Sequence, residues 1–369
     1  MKSSGLMWAS VVLACVGSTV ACGGSDSDGG PAAGGVAGAG ATGGSGATGG
    51  GAGAGGSGAT GGSAGAAGSG ATAGSGGSSG DTTPPSIVSI SPSDGDTGVE
   101  SDANIVIQFS EPMNQAAAQA AYQSTDIPSG SVVFTWNAAG DELTINPNAD
   151  LTYAEGTDPA QLAANAYTIQ LTTTATDLAG NPLAVAKATQ FTTLRRITHS
   201  APLIANLTNE VRADGTVGSA CGGNCVGDSG TAANAQYKAF ISFNVSALAP
   251  GIHTLEQATV TFNQSVLGSP YTDLVGTGGG LLMDHVNTAE LSLAAFNASA
   301  LASLGVIATS NAAVSVEVAD ELEDDYVNRA ARGDRSQYRL SFPLASDFDG
   351  AQDIVQVTSP KLTVVYLLP

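Results

Sequence analysis

A long run of small residues sets the limit on what this chain can fold into. Positions 23 to 81 are almost entirely Gly, Ala, Ser and Thr. Such side chains bury too little apolar surface to offset the entropy lost on ordering the backbone. The run therefore predicts a disordered tether with an r.m.s. span of roughly 40–45 Å. The roughly 290 residues beyond it are enough for about two domains.

The residues before this run are typical of an export signal. Lys2 is followed by an apolar stretch, Leu6 to Val20, and then by small residues. A basic start, a short apolar core and small residues at the cleavage point predict a signal peptide over residues 1–21. The apolar stretch is too short to be a stable membrane-spanning helix.

The string Thr19-Val20-Ala21-Cys22 resembles the lipobox of bacterial lipoproteins, although that family usually has Leu where Thr19 stands. The resemblance implies that Cys22 is acylated, becomes the mature N-terminus and anchors the chain to a membrane of the bacterial cell envelope. Residues 22–81 would then be the lipidated cysteine and its tether. Two alternatives stay open: acylation at Cys15, and ordinary secretion with Cys22 as a plain thiol.

Residues 82–194 carry short apolar runs of period two, separated by Gly-, Asn-, Asp- and Pro-rich turns. Three such runs are Ile105, Ile107 and Phe109; Val132, Phe134 and Trp136; and Tyr167, Ile169 and Leu171. Alternating strands with turns between them predict a β-sandwich.

This region also resembles the bacterial Ig-like domain of surface-layer proteins (SbsA-type). The matching strings are DTTPPSIVSISPSDGDTGV, IVIQFSEPMN, LTINP, YTIQL, DLAGNPLA and QFTT. The resemblance implies an Ig-like spacer or presentation module without catalytic residues. Glu111 and Asp177 are accordingly interpreted as solvated, turn-forming acids.

Residues 195–369 predict a second all-β domain. Strands are indicated around residues 237–245, 258–262, 314–318, 338–342 and 362–368. Their number and even spacing predict a sandwich or a barrel. One helix is expected to begin at Asp320 with a capping box to Glu323, to pair Asp325 with Arg329, and to end at Gly333.

This second domain resembles the jelly-roll domains related to DNRLRE and alginate-binding carbohydrate-binding modules. The strings that carry the resemblance are NAQYKAFISFNVSAL, IHTLEQATVTFNQ, VSVEVADELEDDYVNRAARGDRSQYRLSFP and SPKLTVVYL. The resemblance implies polysaccharide binding or a structural role at a surface. Fold similarity alone does not decide between them.

Charge restricts the partners that such a protein can bind. The formal net charge is −21, which disfavours a nucleic-acid partner. Against this acidity, four arginines fall close together, and they form a candidate site for an anionic polysaccharide or the carboxylates of a cell-surface protein: Arg329, Arg332, Arg335 and Arg339. The alternative is charge complementation at the helix end, with Arg339 pointing outward from a strand.

Two further patterns suggest sites. Asp347, Asp349 and Asp353 form D-x-D-G-x-x-D, which resembles part of a calcium loop but lacks the rest of an EF-hand. The alternative is a solvated acidic turn. Cys221 and Cys225 flank a three-residue loop, and in an exported protein they favour a disulfide over a metal site or a redox pair.

No spacing in the sequence suggests a catalytic nucleophile and base, so an enzyme is not expected. The leading hypothesis is an anchored lipoprotein whose Ig-like domain spaces a terminal sandwich that binds polysaccharide or a surface partner. The alternatives are a structural envelope or adhesion protein without a small ligand, and a hydrolase with an unrecognised site. The tyrosines at positions 237, 271, 326 and 338 are candidate sugar-stacking platforms.

Overall fold

The computed structural model describes residues 80–218, 221–230, 235–277 and 279–369. Cys22, the predicted signal peptide and the predicted tether up to residue 79 lie outside the described residues. No helix in the described part of the chain is both long enough and apolar enough to cross a membrane.

The first part of the described chain is a sandwich of two antiparallel sheets. Its elements are β1 (Ile87–Ser91), β2 (Ile105–Phe109), α1 (Gln115–Ala121), β3 (Tyr122–Gln123), β4 (Val132–Trp136), β5 (Glu142–Pro147), β6 (Ala154–Gly156), β7 (Ala166–Leu171) and β8 (Lys187–Thr192). One sheet has the order β1-β2-β5-β4, and the other has the order β3-β7-β8. We call this part the first sandwich.

The predicted strand faces explain how its core forms. Ile105, Ile107 and Phe109 are all buried on one side of β2, and the two residues between them are half-buried. The same alternation places Ile169 and Leu171 of β7 in the same core. Period-two apolar residues therefore turn one face of each sheet inward.

The remaining strands form what we call the terminal domain. Its elements are β9 (Arg195–Ala201), β10 (Glu210–Arg212), β11 (Asn224–Asp228), β12 (Gln236–Asn244), β13 (Thr254–Leu267), α2 (Pro270–Asp273), β14 (Leu281–Val286), α3 (Leu293–Phe296), β15 (Ala302–Ala308), β16 (Val314–Glu317), α4 (Ala319–Val327), α5 (Arg329–Arg332), β17 (Arg335–Ser341) and β18 (Ile354–Leu368).

Hydrogen bonds join these strands in the order β15-β14-β17-β12-β11-β18-β13-β16, with β10 beside β12 and β9 beside β18. The terminal strands of that order, β15 and β16, approach each other, so the sheet curves around one apolar core. The predicted all-β class with β-sandwich architecture is confirmed. The jelly-roll assignment of the terminal domain stays a prediction.

The predicted helix is present but differs in detail. Helix α4 begins at Ala319, and its N-cap is Val318, which makes no side-chain cap. The predicted capping box of Asp320 and Glu323 is therefore wrong, because the helix begins two residues earlier than the box requires. The helix is interrupted at Asn328, and α5 ends at Gly333 in the left-handed conformation, as predicted.

The first sandwich and the terminal domain are joined without an intervening linker. Strand β6 lies between β5 and β7 in chain order, but it pairs in parallel with β9 of the terminal domain. The guanidinium of Arg195 donates to the carbonyl oxygens of Pro159, Leu162 and Pro369 at 2.9–3.0 Å from Nη1 and Nε. This joint therefore contains both backbone and side-chain hydrogen bonds.

A second arginine spans the same joint. Arg196 contacts Glu155 of β6 at 2.9 Å and Glu256 of β13 at 2.6 Å. These carboxylates raise the pKa of Arg196 further above its ordinary value, with the Glu256 hydrogen bond as the largest cause. The guanidinium also lies 5.2 Å from the ring centre of Tyr153. The charge of Arg196 thus links the two parts of the chain.

Candidate functional site

The four arginines of the predicted anion site do not share one free surface. Arg339 of β17 is only 7% exposed, and its Nη2 lies 2.8 Å from Oδ2 of Asp284. Its Nη1 donates to the carbonyl oxygen of Ala298 at 2.6 Å. The interpretation of Arg339 as an outward strand residue is wrong, because the register of β17 turns it toward β14 and the segment after α3.

The other arginines are also engaged inside the protein. Arg332 contacts Asp325 and Asp324, both at 2.5 Å, and Asp325 therefore pairs with Arg332 rather than with Arg329 as predicted. Arg329 lies over the ring of Tyr326 at 5.0 Å, and Nε of Arg335 donates to Asn287 at 3.0 Å. Of the four charges that a polyanion would need, those of Arg332 and Arg339 are therefore paired with carboxylates of the protein, whereas Arg329 and Arg335 form no ion pair within the described residues.

The Asp325 carboxylate belongs to a buried polar network. Its Oδ2 lies 2.9 Å from Nε2 of His285, and both side chains are 1% exposed. The His285 ring lies 5.8 Å from the ring of Tyr338. Burial raises the pKa of Tyr338 far above its ordinary value, and the fully buried hydroxyl accepts a hydrogen bond from Ser336. The side chains of His285 and Asp325 are therefore buried and bonded to each other within the protein.

The tyrosines predicted as sugar-stacking platforms are also buried or hydrogen-bonded within the protein. Tyr237 and Tyr338 are buried, the hydroxyl of Tyr271 donates to Gln264, and the hydroxyl of Tyr326 donates to Ala249. Of the aromatic side chains in the described residues, Phe348 alone is exposed, at 79%. It lies in the loop between β17 and β18 and has a positive φ of 65°. Phe348 is not among the predicted platforms, which are all tyrosines.

Cys221 and Cys225 are paired as a disulfide. Cys225 is fully buried in β11, where it pairs in register with Gln356 of β18. The disulfide therefore ties the segment before β11 to a strand that lies within the sheet.

The predicted acidic triplet is rearranged into a different cluster. Asp347 and Asp353 come together, and the third carboxylate is Asp273 at the end of α2, rather than Asp349. One carboxylate oxygen from each of the three lies within 4.8 Å of the others. Asp349 instead accepts a hydrogen bond from the backbone N–H of Ala351 at 2.6 Å. We call Asp273, Asp347 and Asp353 the acidic cluster.

Asp353 is the buried member of this cluster. It is 1% exposed, and the backbone N–H of Ser269 donates to its Oδ1. Burial is the largest cause that raises the pKa of Asp353. The Ser269 hydrogen bond opposes it, and the charges of Asp273, Asp228 and Asp347 raise it further. The negative charges of three carboxylates on neighbouring elements therefore contribute to the raised pKa of Asp353.

Asp228 at the end of β11 adds a fourth carboxylate nearby. It is fully buried, and its Oδ1 accepts from the backbone N–H of Asp353 at 3.3 Å. Neither Asp228 nor Asp273 was identified from the sequence, because both are remote from the D-x-D-G-x-x-D string. A pattern that considered acids at strand ends would have included Asp228, which closes β11.

A second group of acids lies in the first sandwich. Asp81, Glu111 and Asp177 have carboxylate oxygens within 4.8 Å of one another. Asp177 accepts from the backbone and side-chain N–H groups of Asn181 at 2.8 and 2.7 Å. Asp177 forms a turn, as predicted, but it is 2% exposed rather than solvated. Its oxygens are satisfied inside the protein.

Comparison with known families matches one part of the chain. Residues 81–193 match the model of the bacterial Ig-like domain. The first sandwich is therefore Ig-like, in agreement with the resemblance seen in its sequence. No curated protein matches the chain.

Solved structures show only distant similarity. An L,D-transpeptidase from Mycobacterium smegmatis is 13% identical over 53% of this chain and 71% of that one, with a TM-score of 0.22. The S-layer protein SbsC is 11% identical over 64% and 41%, with a TM-score of 0.21. The protein SGBP-B from a complex xyloglucan utilisation locus in Bacteroides uniformis is 12% identical over 77% and 73%, with a TM-score of 0.19. Such scores are too low to bear on function.

Proposed function

We propose that this chain is an exported lipoprotein of the bacterial cell surface, anchored through Cys22. Its Ig-like sandwich spaces a terminal domain that binds a polysaccharide or a surface partner. The Ig-like family match and the joint formed by Arg195, Arg196 and the β6–β9 ladder support the spacer role. Such a joint fixes the orientation of the terminal domain relative to the Ig-like sandwich.

Phe348 carries the binding part of the proposal. A bulky residue with positive φ is strained, and such strain persists only where the surrounding structure imposes it. Here the strained residue is also 79% exposed, which costs the contacts that a buried Phe would make. An exposed aromatic ring on an imposed loop conformation is a typical anchor for a ligand.

The charge distribution favours a neutral ligand. The arginines expected to bind a polyanion are engaged by carboxylates, carbonyl and amide oxygens and an aromatic ring of the protein. Phe348 is followed by Asp349, whose charge, together with the net charge of −21, repels an anionic chain. We therefore replace the expected anionic polysaccharide with a neutral one that stacks on Phe348.

The experiment is retention of the full chain on a series of neutral and acidic polysaccharides. We expect retention on at least one neutral polysaccharide, and we expect Phe348→Ala to weaken it by about tenfold or more. Leu178→Ala is the matched control, because Leu178 is an exposed apolar residue, at 75%, in the first sandwich. Equal retention of Phe348→Ala and the unchanged chain would contradict the proposal.

The internal use of the arginines favours a second candidate, a structural envelope or adhesion protein without a small ligand. That candidate predicts no retention on any polysaccharide. We propose no catalytic role, because the histidine–carboxylate pair of His285 and Asp325 is 1% exposed and bonded into the core. Assays for polysaccharide and peptidoglycan hydrolysis test this, and turnover abolished by His285→Ala would contradict it.

A further inference from the structure

We propose that Asp273, Asp347 and Asp353 bind one calcium ion. Each contributes a carboxylate oxygen, and the three oxygens lie within 4.8 Å of one another. Calcium binds oxygen ligands at about 2.3–2.6 Å, so two oxygens on opposite sides of one ion are roughly 5 Å apart. The acidic cluster therefore has the spacing of ligands around a single cation.

The buried oxygens of this region supply an independent argument. Oδ2 of Asp353 and Oδ2 of Asp228 are both buried and have no hydrogen-bond partner. A buried charge without a partner is strongly unfavourable, and proteins usually resolve it by pairing or by metal coordination. Within the described residues, the ion pairs include neither of these carboxylates nor Asp273 and Asp347. A divalent cation supplies the missing positive charge.

The backbone around Asp353 is packed so closely that its carboxylate is held in place. Gly268 has φ of 76°, and a Cβ there would lie 2.3 Å from Oδ1 of Asp353. A Cβ on Gly227 would lie 2.0 Å from the carbonyl oxygen of Asp353. Together with the Ser269 N–H, these two close approaches fix the buried ligand before an ion arrives. Preorganisation of this kind favours binding.

The donor set selects the class of metal. All the candidate ligands are carboxylate oxygens, which suit hard cations, whereas zinc and the softer metals favour nitrogen and sulfur. Asp347 lies in an irregular loop in which Phe348 and Gly350 both have positive φ. A loop of this kind tolerates the variable geometry of calcium better than the near-octahedral geometry of magnesium. Calcium is therefore the expected ion.

The cluster differs from the linear calcium loop that the sequence suggested. That pattern requires Asp349, whereas the structure turns Asp349 toward the N–H of Ala351 and recruits Asp273 from α2. The ion would thus tie the loop before β18 to the segment after β13. The calcium site does not depend on which ligand Phe348 contacts.

The test is calorimetric titration of the full, EDTA-treated chain with CaCl2 and, separately, with MgCl2. We expect one calcium ion per chain with Kd on the order of 10⁻⁴–10⁻³ M, the range of extracellular modules, and weaker magnesium binding. Asp273→Asn and Asp353→Asn should each weaken calcium binding by about tenfold or more. Asp349→Asn is the matched control and should leave Kd within about twofold.

Thermal melts separate ligation from a purely structural role. Calcium at roughly ten times Kd should raise the Tm of the unchanged chain by about 3–6 °C and leave the Tm of Asp353→Asn unchanged. In EDTA, Asp353→Asn should melt no lower than the unchanged chain, because it removes an unpartnered buried charge. If Asp353→Asn does not fold, Asp273→Asn, at a half-buried position, gives the same test.

Three results would overturn the proposal. The first is a titration that shows no heat of calcium binding together with melts that show no shift in Tm. The second is a loss of calcium binding in Asp349→Asn as large as the loss in Asp353→Asn. The third is a Tm of Asp353→Asn that falls below that of the unchanged chain by the same amount with and without calcium. The second result would mean that calcium is bound by the linear D-x-D-G-x-x-D loop, with Asp349 as a ligand. The third would mean that Asp353 has a structural role only.

Discussion

Oδ2 of Asp325 lies 2.9 Å from Nε2 of His285, although the two residues are 40 positions apart and both are 1% exposed. The other carboxylate oxygen of Asp325 contacts Arg332 at 2.5 Å. This one side chain therefore joins α4 and α5 to β14. Removal of one partner from a buried ion pair leaves the others desolvated and unpaired.

Asp325→Ala is therefore expected to lower the free energy of unfolding by about 3–5 kcal/mol. Asp324→Ala provides the comparison, because Asp324 contacts the same guanidinium at 2.5 Å but its side chain is 48% exposed. A pair at that exposure contributes about 0–1 kcal/mol. Urea denaturation of both variants measures the difference, and equal midpoints would show that burial does not determine the effect.

The joint between the two parts of the chain gives a second prediction. Arg195→Ala should destabilise the chain by about 2–3 kcal/mol, because it removes the donors to the carbonyl oxygens of Pro159, Leu162 and Pro369. Arg196→Ala should cost no more than about 1 kcal/mol, because its ion pairs are partly exposed. In calorimetric unfolding, the melting transitions of the first sandwich and the terminal domain should therefore lie further apart in Arg195→Ala than in Arg196→Ala. The reverse order would contradict this account of the joint.

The sequence predicted the parts of the fold that depend on local patterns. Alternating apolar residues of β2 and β12 are buried as expected, because a strand's period of two acts at every residue. The environment of Arg339 depends instead on Asp284, which lies 55 positions away. Charge alone therefore indicated an exposed residue, and only the pairing of β14 with β17 shows that it is buried.

The acidic cluster shows the same limit. Asp347 and Asp353 were expected as metal ligands from their spacing, and the structure brings them together. Asp273 could not be included by any local pattern, because it reaches the cluster through α2, at the far end of β13 from the joint. Asp349 was wrongly grouped with them, because sequence spacing does not reveal that its carboxylate is bound to the N–H of Ala351.

Alkaline pH gives a third prediction, which concerns Tyr122 in the first sandwich. The side chain is 4% exposed, its hydroxyl donates to the carbonyl oxygen of Ile127 at 2.7 Å, and burial raises its pKa from 10.0 to about 12. The folded state therefore retains the phenol proton longer than the unfolded state. Its contribution to stability is fully present below pH 10 and is lost as the pH rises toward 12.

Tyr122→Phe removes the ionisable group and should flatten the fall in stability between pH 10 and 12. It should also cost about 1 kcal/mol at neutral pH through the lost hydrogen bond. Urea midpoints across this pH range measure both effects. A variant with the same alkaline fall as the unchanged chain would show that Tyr122 does not titrate in this window.

The contribution of the close packing around Asp353 to stability can be measured by comparing Gly251 with Gly268, because the two glycines have almost the same backbone conformation. Their φ angles are 75° and 76°, but a Cβ on Gly251 would meet nothing within 4 Å, whereas one on Gly268 would lie 2.0 Å from the carbonyl oxygen of Gln352. Gly251→Ala should therefore cost only the backbone strain, about 1–2 kcal/mol. Gly268→Ala should cost about 1–3 kcal/mol more, because the backbone between Gln352 and Asp353 must move. The difference in the free energy of unfolding between the two variants, measured by denaturation, gives the steric contribution. Equal losses would mean that the backbone between Gln352 and Asp353 can move without a measurable loss of stability.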